Sequence, residues 1–283
     1  MGSDRIVLYG NPTLDVVILG GRAITRMGGG VYYGLMGLEG VAEVEVRSAC
    51  SPAVFLDQAF QARVTCPELS SHVDAFRLVY SGTRRQLEVL SIGNALTSRC
   101  VHEGVADAVV MNPVIGEVGA DLVAIARLRA KLLVADAQGF VRIRSTGPLR
   151  LGGEGSLEIL GLFDVVHMDY EEAMAATGTS RLDDALKVLG RLRTSFVVTN
   201  GVEPAFLIMG SKVASLEHGA DPVDDPTGAG DYLTSRLAVR YMELWDIVEA
   251  TYRALEDTEE WLRRRPHRPL TDSTAVRRPT RLM

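Results

Sequence analysis

Short apolar runs recur along the chain, and each ends in polar residues or glycine. They lie at 5–10, 106–113, 131–140, 162–169 and 195–201. Such runs are typical of strands that are buried on both faces of a parallel sheet. The segments 122–128 and 182–193, which lie between them, are predicted to be helices. This alternation of strand and helix predicts an α/β fold, with a mainly parallel sheet between layers of helices.

Two segments predict β-hairpins instead. The segment 16–27 turns at Gly20-Gly21, and the segment 76–90 alternates apolar and polar residues on both arms of its turn. Neither hairpin has an obvious place inside a parallel sheet. We expect the two hairpins to share a small second sheet that acts as a lid. Elsewhere, residues 41–50 suggest a strand, and 52–64 suggest a helix followed by the start of a strand.

Composition narrows the class of protein. The chain has 283 residues, of which 47% are hydrophobic and 23% charged, so it can bury a large core. We expect a single domain over 1–283. The formal net charge of -6 argues against nonspecific binding of nucleic acid, so a small anionic ligand would need a local positive potential.

The termini and the cysteines carry weaker signals. No apolar stretch of about 18 residues occurs, so we expect a cytoplasmic protein without a membrane partner. The three cysteines include no C-x-x-C pair, which favours simple thiols over a disulfide framework or a zinc site. The arginine-rich segment 263–283 is expected to be a solvated tail, with contact to nucleic acid as the alternative.

The most informative stretch for chemistry is 223–231, which ends in Gly228-Ala229-Gly230-Asp231 before an apolar run. Glycines on both sides of Ala229 allow a tight turn, and a helix that starts there directs unpaired N–H groups at an anion. Asp231 is suitably placed to align and deprotonate a hydroxyl beside a phosphate. An ordinary capped helix after a glycine turn explains the same spacing, which by itself does not decide between the two.

Two stretches near the N-terminus are further candidates. Asp15 follows the first apolar run in a polar turn, where ligands gather in open α/β sheets, although a turn-forming Asp is the simpler interpretation. The triple glycine at 28–30 precedes a predicted helix. It does not match the dinucleotide fingerprint, and the chain has no phosphate-loop motif, so neither classical nucleotide site is expected.

The turn at 225–231 resembles the second signature of the ribokinase (PfkB) family of sugar and nucleoside kinases. The resemblance implies a ribokinase-like three-layer sandwich with a β-sheet lid. It also implies that Asp231 is the catalytic base and that the amides of Gly228, Ala229 and Gly230 form an anion hole. Thr227, Gly228 and Gly230 would then also meet the donor, ATP. Pro226 stands where the family more often has Thr or Ser.

Three further blocks resemble the archaeal myo-inositol 3-kinases within this family. They are 28–33, 111–114 and 136–142. The resemblance implies that a polyol is bound by Asp15, Gly28, Gly29, Gln138 and Arg142, together with Asp231. Without it, Gln138 and Arg142 are better explained as a strand cap and a surface charge.

Two more elements follow from the same resemblance. Asp169 and Glu172 occupy the place of a family Asn-x-x-Glu element, so they are expected near Mg²⁺; a helix N-cap is the alternative. Thr199, Asn200 and Gly201 resemble the loop at the nucleotide phosphates, and a plain turn is the alternative. The helix that closes the adenine pocket in the family is not recognisable, which leaves the base preference open.

These observations predict an ATP- and Mg²⁺-dependent kinase that phosphorylates a small polyol, with myo-inositol as the expected acceptor. The alternatives are a ribokinase-like sugar or nucleoside kinase and a noncatalytic sugar sensor on the same fold. A monomer or a homodimer is expected.

Overall fold

The computed structural model describes residues 4–41, 43–81, 84–153, 155–219, 223–264 and 271–272. The strands, in chain order, are β1 (Arg5–Tyr9), β2 (Thr13–Leu19), β3 (Arg22–Gly28), β4 (Glu43–Cys50), β5 (Val64–Leu69), β6 (Asp74–Ser81), β7 (Arg84–Ser91), β8 (Ala106–Met111), β9 (Ala130–Asp136), β10 (Gly147–Pro148), β11 (Val165–Asp169), β12 (Ser195–Asn200), β13 (Glu203–Met209), β14 (Lys212–Leu216) and β15 (Thr271–Asp272). The helices are α1 (Gly30–Gly37), α2 (Gln58–Gln61), α3 (Ala120–Arg127), α4 (Gln138–Val141), α5 (Ser156–Leu160), α6 (Tyr170–Thr177), α7 (Leu182–Leu189), α8 (Ala229–Leu244) and α9 (Ile247–Arg264).

The larger sheet is built from the apolar runs. Within the described residues it has nine strands, in the order β5, β4, β1, β8, β9, β11, β12, β13 and β14. Neighbouring strands from β5 to β12 are parallel, and β13 and β14 extend one edge antiparallel. The prediction of a mainly parallel central sheet is therefore confirmed.

Helices cover both faces of this sheet. Adjacent strand residues point to opposite sides, so Val109 and Leu133 join one core cluster while Val110 and Val134 join the other. The first cluster is closed by α3, α6 and α7, and the second by α1, α8 and α9. Because both faces are covered, the central strands β1, β8 and β9 are mostly apolar and buried, and the fold is the expected three-layer sandwich.

The smaller sheet contains both predicted hairpins. Its order is β10, β7, β6, β2, β3 and β15 among the described residues. The hairpins β2–β3 and β6–β7 meet through a parallel pairing of β2 with β6. Its buried face, which includes Phe76 and Leu78, packs on Val114 and Ile115 in the loop after β8. The sharing of one sheet was predicted from the sequence, and its action as a lid stays a prediction.

Several local expectations differ from the structure. Asp15 lies inside strand β2 and not in a turn. Residues 162–164 precede β11, and α7 ends at Leu189, where Gly190 follows as the cap. The block that starts at Gln138 forms the short helix α4.

The charged segment before the C-terminus was also interpreted wrongly in part. Residues up to Arg264 belong to α9, whose other face buries Ala250, Ala254 and Leu255. The charges therefore lie on the outer side of an amphipathic helix. Of the predicted tail beyond Arg264, only 271–272 is described, as a strand paired with β3; the remainder lies outside the described residues.

The expectation of simple thiols is confirmed for Cys100 and is wrong for the other two cysteines. Cys50 and Cys66 form a disulfide that joins β4 to β5, with their Cα atoms 5.2 Å apart, whereas Cys100 is a buried thiol. The pairing crosses two adjacent strands, a proximity that their spacing in sequence does not reveal. Across the part of the chain that is described, no helix has the length and apolar character needed to cross a membrane.

Candidate active site

The glycine turn at 228–231 has the tight geometry that the sequence predicted. Gly228 has a φ of 83°, and α8 begins immediately after it. A Cβ at Gly228 would collide with the ring of Tyr33, and one at Gly230 would lie 2.9 Å from Cε1 of His167. Glycine is therefore needed at both positions, at the first for its backbone conformation and at both for space.

The amides of this turn are not all equivalent. The N–H of Ala229 donates to the carbonyl of Pro226 at 3.0 Å. This amide is already used, so the predicted anion hole rests on its neighbours Gly228 and Gly230 and on the positive end of α8.

Asp231 is buried at the start of α8, with only 7% of its surface exposed. Its Oδ1 accepts a hydrogen bond of 2.6 Å from Nε2 of Gln138, and its carbonyl accepts one of 3.0 Å from Asn112. No described residue donates to Oδ2. Burial raises the pKa of Asp231 well above its usual value, and the charge of Asp136 raises it further. Such a carboxylate is a stronger proton acceptor than an exposed one.

A small cavity of about 60 Å³ lies on one side of Asp231. Its lining brings together residues that the sequence assigned to the polyol: Asp15, Gly29, Gln138, Arg142 and Asp231. Gly28 is the exception, because it packs directly against the Asp15 carboxylate and does not line the cavity. Phe76 and Leu78 of β6, in the same small sheet as Asp15, also line the cavity.

The polar groups in this cavity are held in place. Thr13 Oγ1 donates to Asp15 at 2.7 Å, and burial raises the pKa of Asp15 to about 6. Arg142 donates to the carbonyl of Val114 at 3.1 Å and lies 3.6 Å from the carboxylate of Glu172. Arg142 is thus largely buried, not the surface charge that the alternative interpretation gave.

Asp231 also lines a second, larger cavity of about 360 Å³. The predicted donor and metal residues line it, namely Asp169, Glu172, Thr199, Asn200, Gly201, Gly228 and Gly230. Thr227 lines the smaller cavity instead. Five residues line both cavities: Arg85, Gln138, Arg142, Gly228 and Asp231. Asp231 therefore stands at the junction between the two spaces.

Asp169 and Glu172 form the N-terminal cap of α6. Asp169 accepts from the amide of Glu172 at 2.7 Å, and Glu172 accepts from the amide of Asp169 at 3.0 Å. The helix-cap interpretation of this pair is therefore realised in the structure. Burial, followed by the charge of Asp169, raises the pKa of Glu172 to about 8.

The fit to magnesium is partial. Among the described residues, no group of three His, Cys, Asp or Glu side chains is arranged to hold a metal ion. Asp169 keeps Oδ2 beside its cap bond, whereas the remaining oxygen of Glu172 lies 3.6 Å from Arg142; Mg²⁺ takes oxygen ligands while retaining several waters. Asp169 and Glu172 suit an ion that is shared with donor phosphates.

An ion pair and a hydrogen bond connect the lid to the segment that leads into the glycine turn. Arg26 of β3 forms a buried ion pair with Asp225, and the hydroxyls of Tyr80 and Thr227 are 2.6 Å apart. The carboxylate of Asp225 also accepts from Thr227 Oγ1. The lid therefore rests directly on the segment that carries the predicted base.

Sequence reasoning missed several residues of this site. Asp136 and His167 face the larger cavity from β9 and β11, and Arg85 reaches both cavities from β7. For the first two, a polar residue inside or at the end of an apolar strand was the available signal. Arg85 carried no such signal, because its place depends on how the lid is folded over the sheet.

The similarity of this chain to known proteins lies in its fold. No family model matches the chain, and no curated protein matches it either. Several solved structures do match the chain. A pyrophosphate-dependent kinase in the ribokinase family, solved as a sulfate complex, has a TM-score of 0.80 at 24% identity, covering 94% of this chain and 98% of its own.

Two further solved structures are informative. A pyrophosphate-dependent myo-inositol-1 kinase that was converted into a myo-inositol-3 kinase has a TM-score of 0.79 at 24% identity, covering 94% of this chain and 95% of its own. The ribokinase of Thermotoga maritima has a TM-score of 0.71 at 13% identity, covering 93% and 94%. The chain therefore has the ribokinase-like fold.

Proposed function

We propose that this protein is a kinase that transfers a phosphoryl group to a hydroxyl of a small polyol. The observation that carries the proposal is the position of Asp231 between two cavities, at the start of a helix that follows a glycine turn. Direct transfer requires an acceptor on one side, a donor on the other and a base at the junction.

The geometry supports a division of roles. An acceptor hydroxyl in the smaller cavity would give its proton to Oδ2 of Asp231, while Gln138 holds Oδ1 in place. Negative charge on the transferring group would meet the amides of Gly228 and Gly230 and the positive end of α8. The guanidinium groups of Arg85 and Arg142, which line both cavities, would add positive charge.

Magnesium belongs to this proposal as a partner of the donor. Asp169 and Glu172 are the residues that would hold it, together with donor oxygens and water. When bound, the ion neutralises phosphate charge that the acids of the larger cavity would otherwise repel.

For the acceptor, we propose myo-inositol or a closely related polyol. Asp15 supplies carboxylate acceptors, while Gln138 and Arg142 supply donors, and such groups match a ring of hydroxyls. One structural neighbour was solved with a pyrophosphate analog and myo-inositol, at a TM-score of 0.80 and 23% identity. A nucleoside would need an apolar slot for its base. Tyr33 and Phe76 are the aromatic rings in the described lining, so a nucleoside is kept as the alternative acceptor.

For the donor, the family resemblance implies ATP, and pyrophosphate is a second candidate supported by two observations. Among the described residues, Tyr80 is the only aromatic side chain in the larger cavity, so no stacked slot for adenine is apparent there. The two neighbours with a TM-score of 0.80 are pyrophosphate-dependent kinases.

The proposal is tested by a matrix of donors and acceptors. Purified protein with Mg²⁺ is incubated with ATP or pyrophosphate and with inositols, pentoses, hexoses or nucleosides, and phosphorylated product is measured by mass spectrometry. We expect phosphorylated myo-inositol with at least one donor. Tight binding of a polyol without turnover by either donor supports the sugar sensor, and preferred turnover of nucleosides contradicts the polyol assignment.

A further inference from the structure

We propose that His167 is a positioning residue for the base, acting on Asp231 through Asp136 and Gln138. The inference rests on the proposed function, since it concerns the alignment of the group assigned there as base. It assigns a role to a buried histidine and a buried aspartate that neither the glycine turn nor the polyol site explains.

A continuous chain of hydrogen bonds connects the four residues. Nδ1 of His167 lies 2.9 Å from Oδ2 of Asp136, and Oδ1 of Asp136 accepts from the amide of Gln138 at 2.9 Å. Nε2 of Gln138 then donates to Oδ1 of Asp231 at 2.6 Å. Asp136 thus fixes the start of α4, and the first residue of α4 holds the base.

The chain continues to the donor side. Nε2 of His167 lies 2.9 Å from Oγ1 of Thr199, the residue near the end of β12 that lines the larger cavity. Both nitrogens of the ring are therefore engaged. His167 stands between the donor-side loop and the carboxylate that anchors Gln138.

The central hydrogen bond of this chain joins His167 to Asp136. In the tautomer that carries its proton on Nδ1, His167 donates to Asp136, and Nε2 then accepts from the hydroxyl of Thr199. The side chain of Asp136 is about 4% exposed and that of His167 about 5% exposed, and the other described donor to Oδ2 of Asp136 is the more distant Oγ1 of Thr234, at 3.4 Å.

The ring also supports the turn sterically. A Cβ at Gly230 would lie 2.9 Å from Cε1 of His167 and 3.1 Å from the carboxylate of Asp136. The pair therefore packs directly beneath the backbone of the predicted anion hole. Loss of the bond between His167 and Asp136 would let Gln138 move, and the base with it, whereas Asp15 is held separately by Thr13.

Two substitutions separate this role from a general structural one. In His167→Asn, the amide nitrogen can take the place of Nδ1 and keep the bond to Asp136. In His167→Gln, the longer side chain places its amide near Nε2 and leaves Asp136 without that donor. We expect His167→Gln to lower kcat roughly ten- to a hundredfold, as expected for a misplaced group, and to raise KM for the polyol by a smaller factor, because Gln138 also lines the acceptor cavity. We expect His167→Asn to retain most of kcat.

A matched control is available outside the site. His218 also pairs through Nδ1 with a carboxylate, that of Glu259 at 3.0 Å, but it lies away from both cavities. His218→Gln should leave kcat unchanged. Equal kcat values for His167→Asn and His167→Gln, in proteins with unchanged melting temperature, would overturn the proposal.

A second readout does not require turnover. The carboxyl ¹³C signal of Asp231, identified by its loss in Asp231→Asn, reports on the surroundings of the base. We expect this signal to shift in His167→Gln and to stay in place in His167→Asn. An unshifted signal in His167→Gln contradicts the positioning role even if the protein is a kinase. A shifted signal in a protein that phosphorylates no acceptor supports the positioning role while the proposed function fails.

Discussion

At the scale of single residues, the site depends on two glycines, which have no side chain, as well as on its polar side chains. Gly228 and Gly230 are surrounded so closely by Tyr33 and His167 that neither position can accept a Cβ without movement. The sequence could predict the turn and Asp231, because glycine spacing is a local signal. It could not predict that Asp136 and His167 lie beneath the turn, since that contact depends on how three elements pack.

Gly230→Ala tests the close packing at the turn. The added methyl group would meet His167 and Asp136 at 2.9 and 3.1 Å, so we expect a loss of stability of about 1 to 3 kcal/mol and a marked loss of kcat. Urea unfolding and steady-state kinetics measure both effects. Gly219→Ala is the control, since Gly219 lacks a positive φ and the nearest atom to a Cβ there, Oε2 of Glu259, is at an ordinary contact distance of 3.7 Å. Unchanged stability and kcat in Gly230→Ala would contradict this geometry.

Glu117 gives a prediction for pH. Its fully buried carboxylate accepts from the amides of Val114 and Ile115, and burial raises its pKa from 4.5 to about 7. The folded state therefore binds the proton more tightly than the unfolded state. The stability this provides is complete below pH 4.5 and is lost as pH rises through about 7.

Glu117→Gln should therefore flatten part of the decline in unfolding free energy between pH 4.5 and 7. Urea titrations at several pH values measure that slope, and the exposed Glu103→Gln serves as the control that should retain it. An identical slope in Glu117→Gln and the wild type would show that Glu117 does not carry this dependence.

At the scale of elements, the sequence could predict those whose pattern is local. The parallel strands and both hairpins were predicted because apolar runs and glycine turns mark them directly. The helix α9 was not predicted, because its exposed face carries most of the charges and its buried face is narrow. The pairing of β2 with β6, which joins the hairpins into one sheet, links segments far apart in sequence and has no local signal.

The prediction at this scale is that the lid, formed by the two hairpins of the smaller sheet, closes when both ligands are bound. Since β2–β3 and β6–β7 cover the smaller cavity, we expect their amide hydrogen exchange to slow when polyol and donor are bound together. Exchange measured by mass spectrometry should show protection in both hairpins. The hairpin β13–β14, at the far edge of the larger sheet, should change little. Equal exchange of the lid hairpins with and without both ligands would contradict a closing lid.

At the scale of the whole molecule, two cavities meet at one carboxylate because elements from the entire chain converge there. Asp15 comes from the smaller sheet, Gln138 from the start of α4, and Asp231 from the start of α8. The family resemblance grouped these residues in advance, but their distances could not be predicted. The order of strands in the larger sheet and the packing of the lid set those distances.

The most direct test of the central claim is the turnover of Asp231→Asn on the polyol that the wild type phosphorylates. The amide preserves the shape of the side chain but cannot accept the proton of the hydroxyl. We predict a loss of kcat of roughly a hundredfold or more, with polyol affinity retained in calorimetric titration. A folded Asp231→Asn protein with kcat near the wild-type value would contradict the account.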